Sequence, residues 1–308
     1  MGADAMVQLV DLRKSFGKTI ALDGVSFTIG AGEVFGYLGP NGAGKTTTIR
    51  VLMGLLRPSA GRAEILGRDA WRQSVEARKL VGYVPGEPAL YDRLTGRDHI
   101  SFCSHLRRHD ASARAVDLAA GLDLDLDRRA KTLSRGNRQK LAVVLAMMSG
   151  PRLLVLDEPT SGMDPLVQQV FHSLLREHTA GGGSVLLSSH VLGEVERVAD
   201  RIGVVREGRL VAVERLQELA ARSLHRVRAS FAEDIARSDY EGLPGLRDLV
   251  VNNRTLTCNA PQASLDALLK RVSARRVVDF ECAEAPLEET FLTYYGPHHA
   301  GKEGLDAH

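Results

Sequence analysis

The segment GPNGAGKT, residues 39–46, decides the fold of this chain. It follows an apolar run and precedes a stretch of helical composition, with two glycines, a lysine and a threonine at the spacing G-x-x-x-x-G-K-T. Glycines let backbone N–H groups converge on phosphate oxygens, and the following helix turns its positive N-terminus toward them. Lys45 can then reach the β- and γ-phosphates, and the Thr46 hydroxyl can coordinate Mg²⁺. The segment predicts a P-loop nucleotide site; the alternative is a Gly-rich turn that binds no ligand.

A second motif, LLVLDEP at 153–159, reads as an apolar strand that ends in two carboxylates. Asp157 at the strand tip can hold Mg²⁺ through water, because Mg²⁺ keeps much of its hydration shell. Glu158 can orient or deprotonate a water that attacks the γ-phosphate. The alternative, a strand ending in a solvated Asp-Glu pair, is disfavoured by the P-loop in the same chain.

Short apolar runs alternate with helical segments through the first two-thirds of the chain, which predicts a largely parallel sheet covered by helices. Two further strand-like pieces, 6–12 and 24–30, precede the P-loop. In the second of these, Val25, Phe27 and Ile29 alternate with polar residues, which predicts a half-exposed, antiparallel strand. The runs predicted as parallel strands are VFGYLG (34–39), LVGYVP (80–85), LLVLDEP (153–159) and SVLLSSH (184–190).

The composition excludes several classes of protein. Of 308 residues, 44% are hydrophobic and 25% are charged, which are ordinary globular values, and the net charge is +2. That balance does not indicate a nucleic-acid partner, and the basic run 127–131 lacks the aromatic residues of a nucleic-acid patch. The longest stretch without charged residues, 178–193, contains a Gly triplet and several Ser, so we expect no transmembrane helix. Three scattered cysteines predict free, buried thiols in a reducing compartment.

The segment LSRGNRQKLAVVLAMM (133–148) makes the pattern specific. With the P-loop and the carboxylate strand in this order, the chain resembles the ATP-binding subunit of an ATP-binding-cassette (ABC) transporter, whose signature reads LSGGQ. The likeness also includes the aromatic of RKSFG (13–17), the SGMD loop (161–164) and the histidine that ends SVLLSSH (184–190). It covers about residues 6–212, and the C-terminal part resembles the C-terminal domain of drug-export-type cassette subunits.

The resemblance implies an α/β fold: a P-loop NTPase ABC cassette with a mixed sheet, a helical lobe and an antiparallel β subdomain, followed by a small C-terminal α+β domain. We place the cassette at 6–213, the accessory domain at 214–296, with a helix at 286–296, and a flexible tail at 297–308. No internal repeat is present, so two nucleotide-binding halves in one chain are disfavoured.

The resemblance also implies ligands and partners. In this family two cassettes sandwich two ATP molecules head to tail, so each site takes residues from both subunits. We therefore expect ATP and Mg²⁺ as ligands, a second cassette (an identical copy is favoured, and a related cassette is the alternative), and a separate multi-span permease. The chain would dock on that permease at the cytoplasmic side of the cell membrane, with no nucleic acid involved.

Individual residues receive roles from the resemblance. Phe16 would stack on the adenine, with a buried core phenylalanine as the alternative. His190 would contact the γ-phosphate and help position the water, or be a satisfied structural histidine. Asp164 would lie at the subunit seam, cap the next helix, or do both. Ser134 and Gly136 would close on the γ-phosphate of the opposite site. The full set is Glu158, His190 and Lys45 for catalysis; Phe16, Gly39, Pro40, Asn41, Gly42, Ala43, Gly44, Lys45, Thr46, Thr47, Ser134, Gly136 and Asp164 for ATP; and Thr46 and Asp157 for Mg²⁺.

Two positions depart from the family pattern. Gly86 stands where the family usually carries a glutamine that touches the magnesium or the attacking water, so that place must go to water or to Glu87. Because Mg²⁺ tolerates water as a ligand, we expect altered coupling or a lower rate and not inactivity. In the signature, Arg135 and Asn137 replace a glycine and a glutamine. Arg135 either places a cation near the opposing γ-phosphate or is a solvated surface residue, and the sequence leaves both open.

The favoured function is an ATPase subunit that drives a permease, which by analogy exports small hydrophobic compounds such as drugs, antibiotics or lipids. A soluble cassette ATPase that acts on ribosomes or DNA is a second class, but the tandem cassettes or long coiled coil of such proteins do not occur in this sequence. A nucleotide-binding regulator without turnover is a third. A kinase or GTPase is disfavoured because the sequence has no guanine-reading NKxD stretch and the signature would go unexplained.

Overall fold

The computed structural model describes residues 5–221 and 224–284. The chain divides into two compact units, the first ending at Glu214 and the second beginning at Arg215. The predicted helix at 286–296 and the predicted tail at 297–308 lie outside the described residues.

The first unit is built on a six-stranded sheet. The four apolar runs predicted as parallel strands all belong to it, and they pair in parallel with one another or with the strand 201–206. In sheet order the strands are β10 (Arg209–Arg215), β9 (Arg201–Arg206), β3 (Val34–Leu38), β8 (Ser184–Ser189), β7 (Leu153–Asp157) and β6 (Val81–Val84). Strands β3, β7 and β8 are buried along their whole length, as expected for a parallel sheet covered on both faces.

A second sheet of this unit is antiparallel. In sheet order its strands are β2 (Thr19–Ile29), β1 (Val7–Phe16), β4 (Ala60–Ile65) and β5 (Arg68–Asp69). The predicted alternation in β2 is confirmed, because Val25, Phe27 and Ile29 are buried and the residues between them are exposed. One buried hydrophobic cluster joins the two sheets, with the rings of Phe27 and Phe35 stacked at 4.8 Å between centroids.

Helices of the first unit surround these sheets. The third, fourth and fifth helices along the chain, at 96–107, 112–121 and 135–147, contact one another and form the predicted helical lobe. The first of these three begins with a capping box, in which Thr95 and Asp98 each bond the other's backbone N–H. Within the described residues, every helix is too short or too polar to cross a lipid bilayer. The helices are α1 (Lys45–Leu52), α2 (Ser74–Lys79), α3 (Gly96–Arg107), α4 (Ser112–Gly121), α5 (Arg135–Met147), α6 (Pro165–Ala180) and α7 (Leu192–Glu196).

The second unit has its own four-stranded antiparallel sheet and its own core. In sheet order the strands are β12 (Arg247–Asn252), β13 (Thr255–Pro261), β11 (Leu224–Phe231) and β14 (Val277–Glu284), and the helices are α8 (Leu216–Ala221) and α9 (Leu265–Ser273). All three cysteines are free. The expectation that their thiols are buried is confirmed for Cys258 but not for Cys103, which is half-buried, and it is wrong for Cys282, which is exposed on the edge strand β14.

Candidate functional site

The P-loop connects β3 to α1, as its sequence predicts. Gly44 has a φ of +108°, which a residue with a side chain rarely adopts. A Cβ atom at Gly39 would lie 2.3 Å from the Val205 carbonyl oxygen, so only glycine fits there. No side chain caps α1, and its first N–H groups therefore remain available to an anion.

A cavity of about 350 Å³ opens over this loop. It is formed by segments that are far apart in the chain, so the fold brings most of the predicted site together. The cavity is lined by Ala21, Pro40, Asn41, Gly42, Gly44, Lys45, Thr46, Thr47, Gly86, Arg135, Glu158, Ser161 and His190. The predicted residues that do not line it are Phe16, Gly39, Ala43, Ser134, Gly136, Asp157 and Asp164.

Lys45 is buried, with only 6% of its side chain exposed. Its Nζ donates to the Gly39 carbonyl oxygen at 2.6 Å and to the Pro40 carbonyl oxygen at 3.4 Å. It also lies 3.5 Å from Oε1 of Glu158. A buried ammonium needs such partners, and phosphate oxygens are the ligands that it prefers over neutral carbonyls.

Glu158 is the centre of the charged cluster. Its Oε2 accepts from His190 Nδ1 at 2.7 Å, while its Oε1 faces Lys45. The carboxylate is 22% exposed and the imidazole is about half exposed, so both are accessible from the cavity. With Nδ1 as the donor, the neutral ring presents Nε2 as an acceptor, and the protonated ring presents it as a donor. His190 therefore contacts Glu158 within the cavity, and its role at the γ-phosphate and the attacking water stays a prediction.

Asp157 lies under the cavity rather than in solvent, with 2% of its surface exposed. Ser188 on the adjacent strand β8 donates its Oγ–H to Asp157 Oδ1 at 2.5 Å. Burial, and then the negative charge of Asp157, raise the pKa of Tyr83. A Cβ atom at Gly86 would approach the Asp157 backbone oxygen to 3.6 Å and its Oδ2 to 3.8 Å. Gly86 thus lies beside the proposed magnesium ligand, with room for a side chain.

Magnesium prefers hard oxygen ligands and keeps several waters. Among the described residues no cluster of three or more His, Cys, Asp or Glu could hold a metal ion by itself. The donors present nevertheless fit Mg²⁺ that arrives with a triphosphate: the cavity-lining Thr46 hydroxyl, and Asp157, whose carboxylate is fixed by Ser188.

The signature segment forms the start of α5. Ser134 caps the helix, its Oγ accepting from the Asn137 N–H at 3.3 Å, which leaves the hydroxyl hydrogen free to donate. Gly136 packs so closely on the loop after β7 that a Cβ atom would lie 2.2 Å from the Gly162 carbonyl oxygen. Arg135 is exposed and lines the cavity of its own chain, a position that the sequence did not indicate.

Burial and hydrogen bonding define the surroundings of Phe16 and Asp164. Phe16 is 49% exposed and is therefore not a core residue; Lys14 Nζ lies 4.9 Å from its ring centroid. Asp164 caps α6, because its Oδ1 accepts from the N–H groups of Leu166 and Val167. The hydrogen bond from Val167, and to a smaller extent the one from Leu166, lowers the pKa of the Asp164 carboxyl group. A role at a subunit seam stays a prediction.

Some residues of the site were not predicted. Ala21 and Ser161 line the cavity, and Ser188 fixes Asp157. Gln139, in the second turn of α5, donates its Nε2–H to the Glu158 carbonyl oxygen at 3.4 Å. The three serines of SVLLSSH carried a usable signal, because hydroxyls inside a fully buried strand need a partner.

Known proteins match this arrangement. The family described as ABC transporter matches residues 22–161. The chain is 33% identical over 297 residues to the uncharacterised ABC transporter ATP-binding protein YcbN of Bacillus subtilis (strain 168), covering 93% of this chain and 89% of that protein. It is 39% identical over 224 residues to the daunorubicin resistance ATP-binding protein DrrA3 of Streptomyces coeruleorubidus, covering 71% of each.

A solved structure described as the ATP binding subunit of an ABC transporter superposes with a TM-score of 0.66 at 30% identity, covering 70% of this chain and 91% of that one. Sequence and fold thus agree with the motifs around the cavity. The chain belongs to the family of ABC transporter ATP-binding proteins.

Proposed function

We propose that this chain hydrolyses ATP and uses the energy to drive a separate membrane permease. The observation that carries the proposal is the contact of one carboxylate, Glu158, with both Lys45 and His190 beside the P-loop. A lysine that binds the outer phosphates, a base within reach of the attacking water and a histidine that orients it are the parts that this hydrolysis needs.

ATP would bind with its phosphates on residues 39–47 and its adenine against the exposed ring of Phe16. Mg²⁺ would be held by Thr46 and, through water, by Asp157, and would neutralise phosphate charge when bound. Arg135 adds a positive charge to the same cavity. Glu158 would take the proton of the attacking water, while His190 holds that carboxylate in place.

The complete site would need a second copy of the chain. Ser134 can cap its helix and still donate to an anion, and the α5 N-terminus favours negative charge. In the head-to-tail pair, Ser134 and Gly136 of one copy would close on the γ-phosphate held by the P-loop of the other, with Asp164 at the seam. The exposure of Ser134 supports this arrangement.

The contact with the permease would lie at residues 86–96 and on the helical lobe. There the side chains of Tyr91, Phe102 and Leu106 are exposed, and the rings of Tyr91 and Phe102 meet edge to face at 5.6 Å. Exposed apolar groups of this kind mark contact surfaces. The cargo would be a small hydrophobic compound, as the name of the daunorubicin resistance relative and the accessory unit after the cassette suggest.

Recovery of the chain in membranes tests the transporter function. Co-expression with its multi-span permease should bring the chain into the membrane fraction, and expression alone should not. The cells should then exclude a hydrophobic drug, and Glu158→Gln should abolish exclusion without changing membrane recovery. Recovery with ribosomes or DNA in place of the permease would contradict the proposal.

Gly86→Gln should raise the ATPase rate several-fold or alter its dependence on the permease. The Cβ position makes only ordinary contacts with Asp157, and the backbone of Gly86 is outside the left-handed region, so a Cβ atom is accommodated there without strain. The new amide would give the magnesium or the attacking water the ligand that glycine lacks. Steady-state phosphate release, with and without permease, measures the change, and Gly86→Ala controls for the Cβ alone. An unchanged ATPase rate with an unchanged dependence on the permease would show that residue 86 has no role in hydrolysis or coupling.

A further inference from the structure

Gln139 links the signature helix α5 directly to the backbone of Glu158. Its side chain is buried, with 1% exposed, and its Nε2–H donates to the Glu158 carbonyl oxygen at 3.4 Å. It does not line the nucleotide cavity. Gln139 can therefore act on the reaction only through the group that it touches.

The backbone of Glu158 needs such support. Its φ is +51°, in the left-handed region that a residue with a side chain adopts only when its surroundings hold it there. The Glu158 N–H donates to the Ser188 carbonyl oxygen at 3.2 Å, and the Ser161 N–H donates to the Glu158 carbonyl oxygen at 3.3 Å. Among the hydrogen bonds described for this backbone group, the one from Gln139 is the only one made by a side chain. It bonds the backbone of the same residue whose carboxylate lines the cavity.

A second contact ties the same two segments together. At the N-terminus of α5, Gly136 lies against the backbone of Gly162, so closely that a Cβ atom would be 2.2 Å from the Gly162 carbonyl oxygen. The loop from 158 to 162 is thus held by α5 at both of its ends. We therefore expect a shift of α5 to displace this loop, because closely packed segments transmit strain.

We propose that Gln139 is a positioning residue for Glu158. It holds the carboxylate toward the P-loop cavity and makes its orientation depend on α5, the helix whose first residues would bind the γ-phosphate of the other site. The two ATP sites would then be coupled through Gln139 within each chain. This inference rests on the proposed role of Glu158 as the general base.

Replacement of the Gln139 side-chain amide should slow ATP turnover without weakening ATP binding. Gln139→Met keeps the size of the side chain and removes the donor, so kcat should fall about tenfold while the ATP dissociation constant stays within about twofold. Gln139→Glu places a carboxylate oxygen against the Glu158 carbonyl oxygen. Because the two oxygens repel each other and Glu158 is then misplaced, kcat should fall about a hundredfold. Phosphate release and binding of a fluorescent ATP analogue measure the two quantities.

Lys140→Met is the matched control. Lys140 is the next residue of the same helix, is similarly buried, and donates its Nζ–H to the Asp123 carbonyl oxygen at 3.3 Å, away from Glu158. Its loss removes a bond of similar length from α5 and should leave kcat within about twofold of the wild type. A thermal unfolding midpoint for each variant shows whether all are folded.

A double-mutant cycle decides whether Gln139 acts through the Glu158 carboxylate. Added to Glu158→Gln, Gln139→Met should cause no further loss of the single-turnover rate, because the group it positions is already gone. A further tenfold loss, or a wild-type kcat in Gln139→Met alone, would overturn the inference. If Gln139→Met keeps the wild-type kcat while Glu158→Gln is inactive, the inference about Gln139 fails but the proposed function stands. Wild-type turnover in Glu158→Gln would instead contradict that function itself.

Discussion

Glu158→Gln should abolish steady ATP hydrolysis while leaving ATP binding intact. The amide has nearly the shape of the carboxylate and can still contact His190, but it cannot accept a proton from the attacking water. General-base catalysis contributes about 10²–10⁴ in rate, so turnover should fall by at least that factor. The Lys45 Nζ loses a negative neighbour at 3.5 Å, which should slightly favour the phosphates as its partners.

Steady-state phosphate release and ATP affinity measured on the same preparation test this prediction. The control is Glu194→Gln, which makes the same change of charge on α7, where Glu194 accepts from Ser189 Oγ at 2.8 Å outside the cavity. It should hydrolyse ATP at nearly the wild-type rate. Wild-type turnover in Glu158→Gln would exclude this carboxylate as the base, and loss of ATP binding would show that its main role is structural.

Lys45→Met should weaken ATP binding about ten- to hundredfold, since charge-assisted hydrogen bonds to phosphate contribute about 1.5–3 kcal/mol each. Lys45 is buried among its own loop carbonyls and beside Glu158, so its ammonium is already aimed at the site that the phosphates would occupy. Its removal also leaves the Glu158 carboxylate without its cation. Turnover at saturating ATP should therefore fall as well.

Titration of a fluorescent ATP analogue measures the loss of affinity. Lys79→Met, which breaks an exposed pair with Glu76 on α2, is the control and should bind as the wild type does. The two active-site variants should thus separate: Glu158→Gln binds without turnover, and Lys45→Met does neither well. An ATP affinity in Lys45→Met within about twofold of the wild type would show that the ammonium serves only the loop.

The parallel core could be predicted from the sequence because its strands are continuous apolar runs, a pattern that burial on both faces requires. Strands β4 and β5 could not, since AGRAEI alternates only over its last four residues, RD has no apolar residue, and β4 is held by its pairing with β1. The hairpin of β9 and β10 was also not predicted, although both strands carry short apolar runs between their charged ends.

The candidate site divides in a similar way. The P-loop, Asp157 and Glu158 are readable because their chemistry depends on residues that are adjacent or at fixed spacing. Gln139 and Ser188 bond backbone or side-chain atoms that are far away in sequence, so only the fold identifies their partners. Phe16 is too exposed to be a core residue. Arg135 lines the nucleotide cavity of its own chain, a position that the sequence did not indicate.

The P-loop of one copy and Ser134 of the other copy would together form each functional ATP site. Mixing two variants that are each inactive alone tests this most directly: Lys45→Met, and Ser134→Glu, which places a negative charge at the exposed start of α5. In a head-to-tail pair of unlike copies, one site carries both defects and the other carries neither. Equal mixing should therefore restore about a quarter of the wild-type ATPase rate. If the mixture is as inactive as its components, each site is built from a single chain and the head-to-tail pair is excluded.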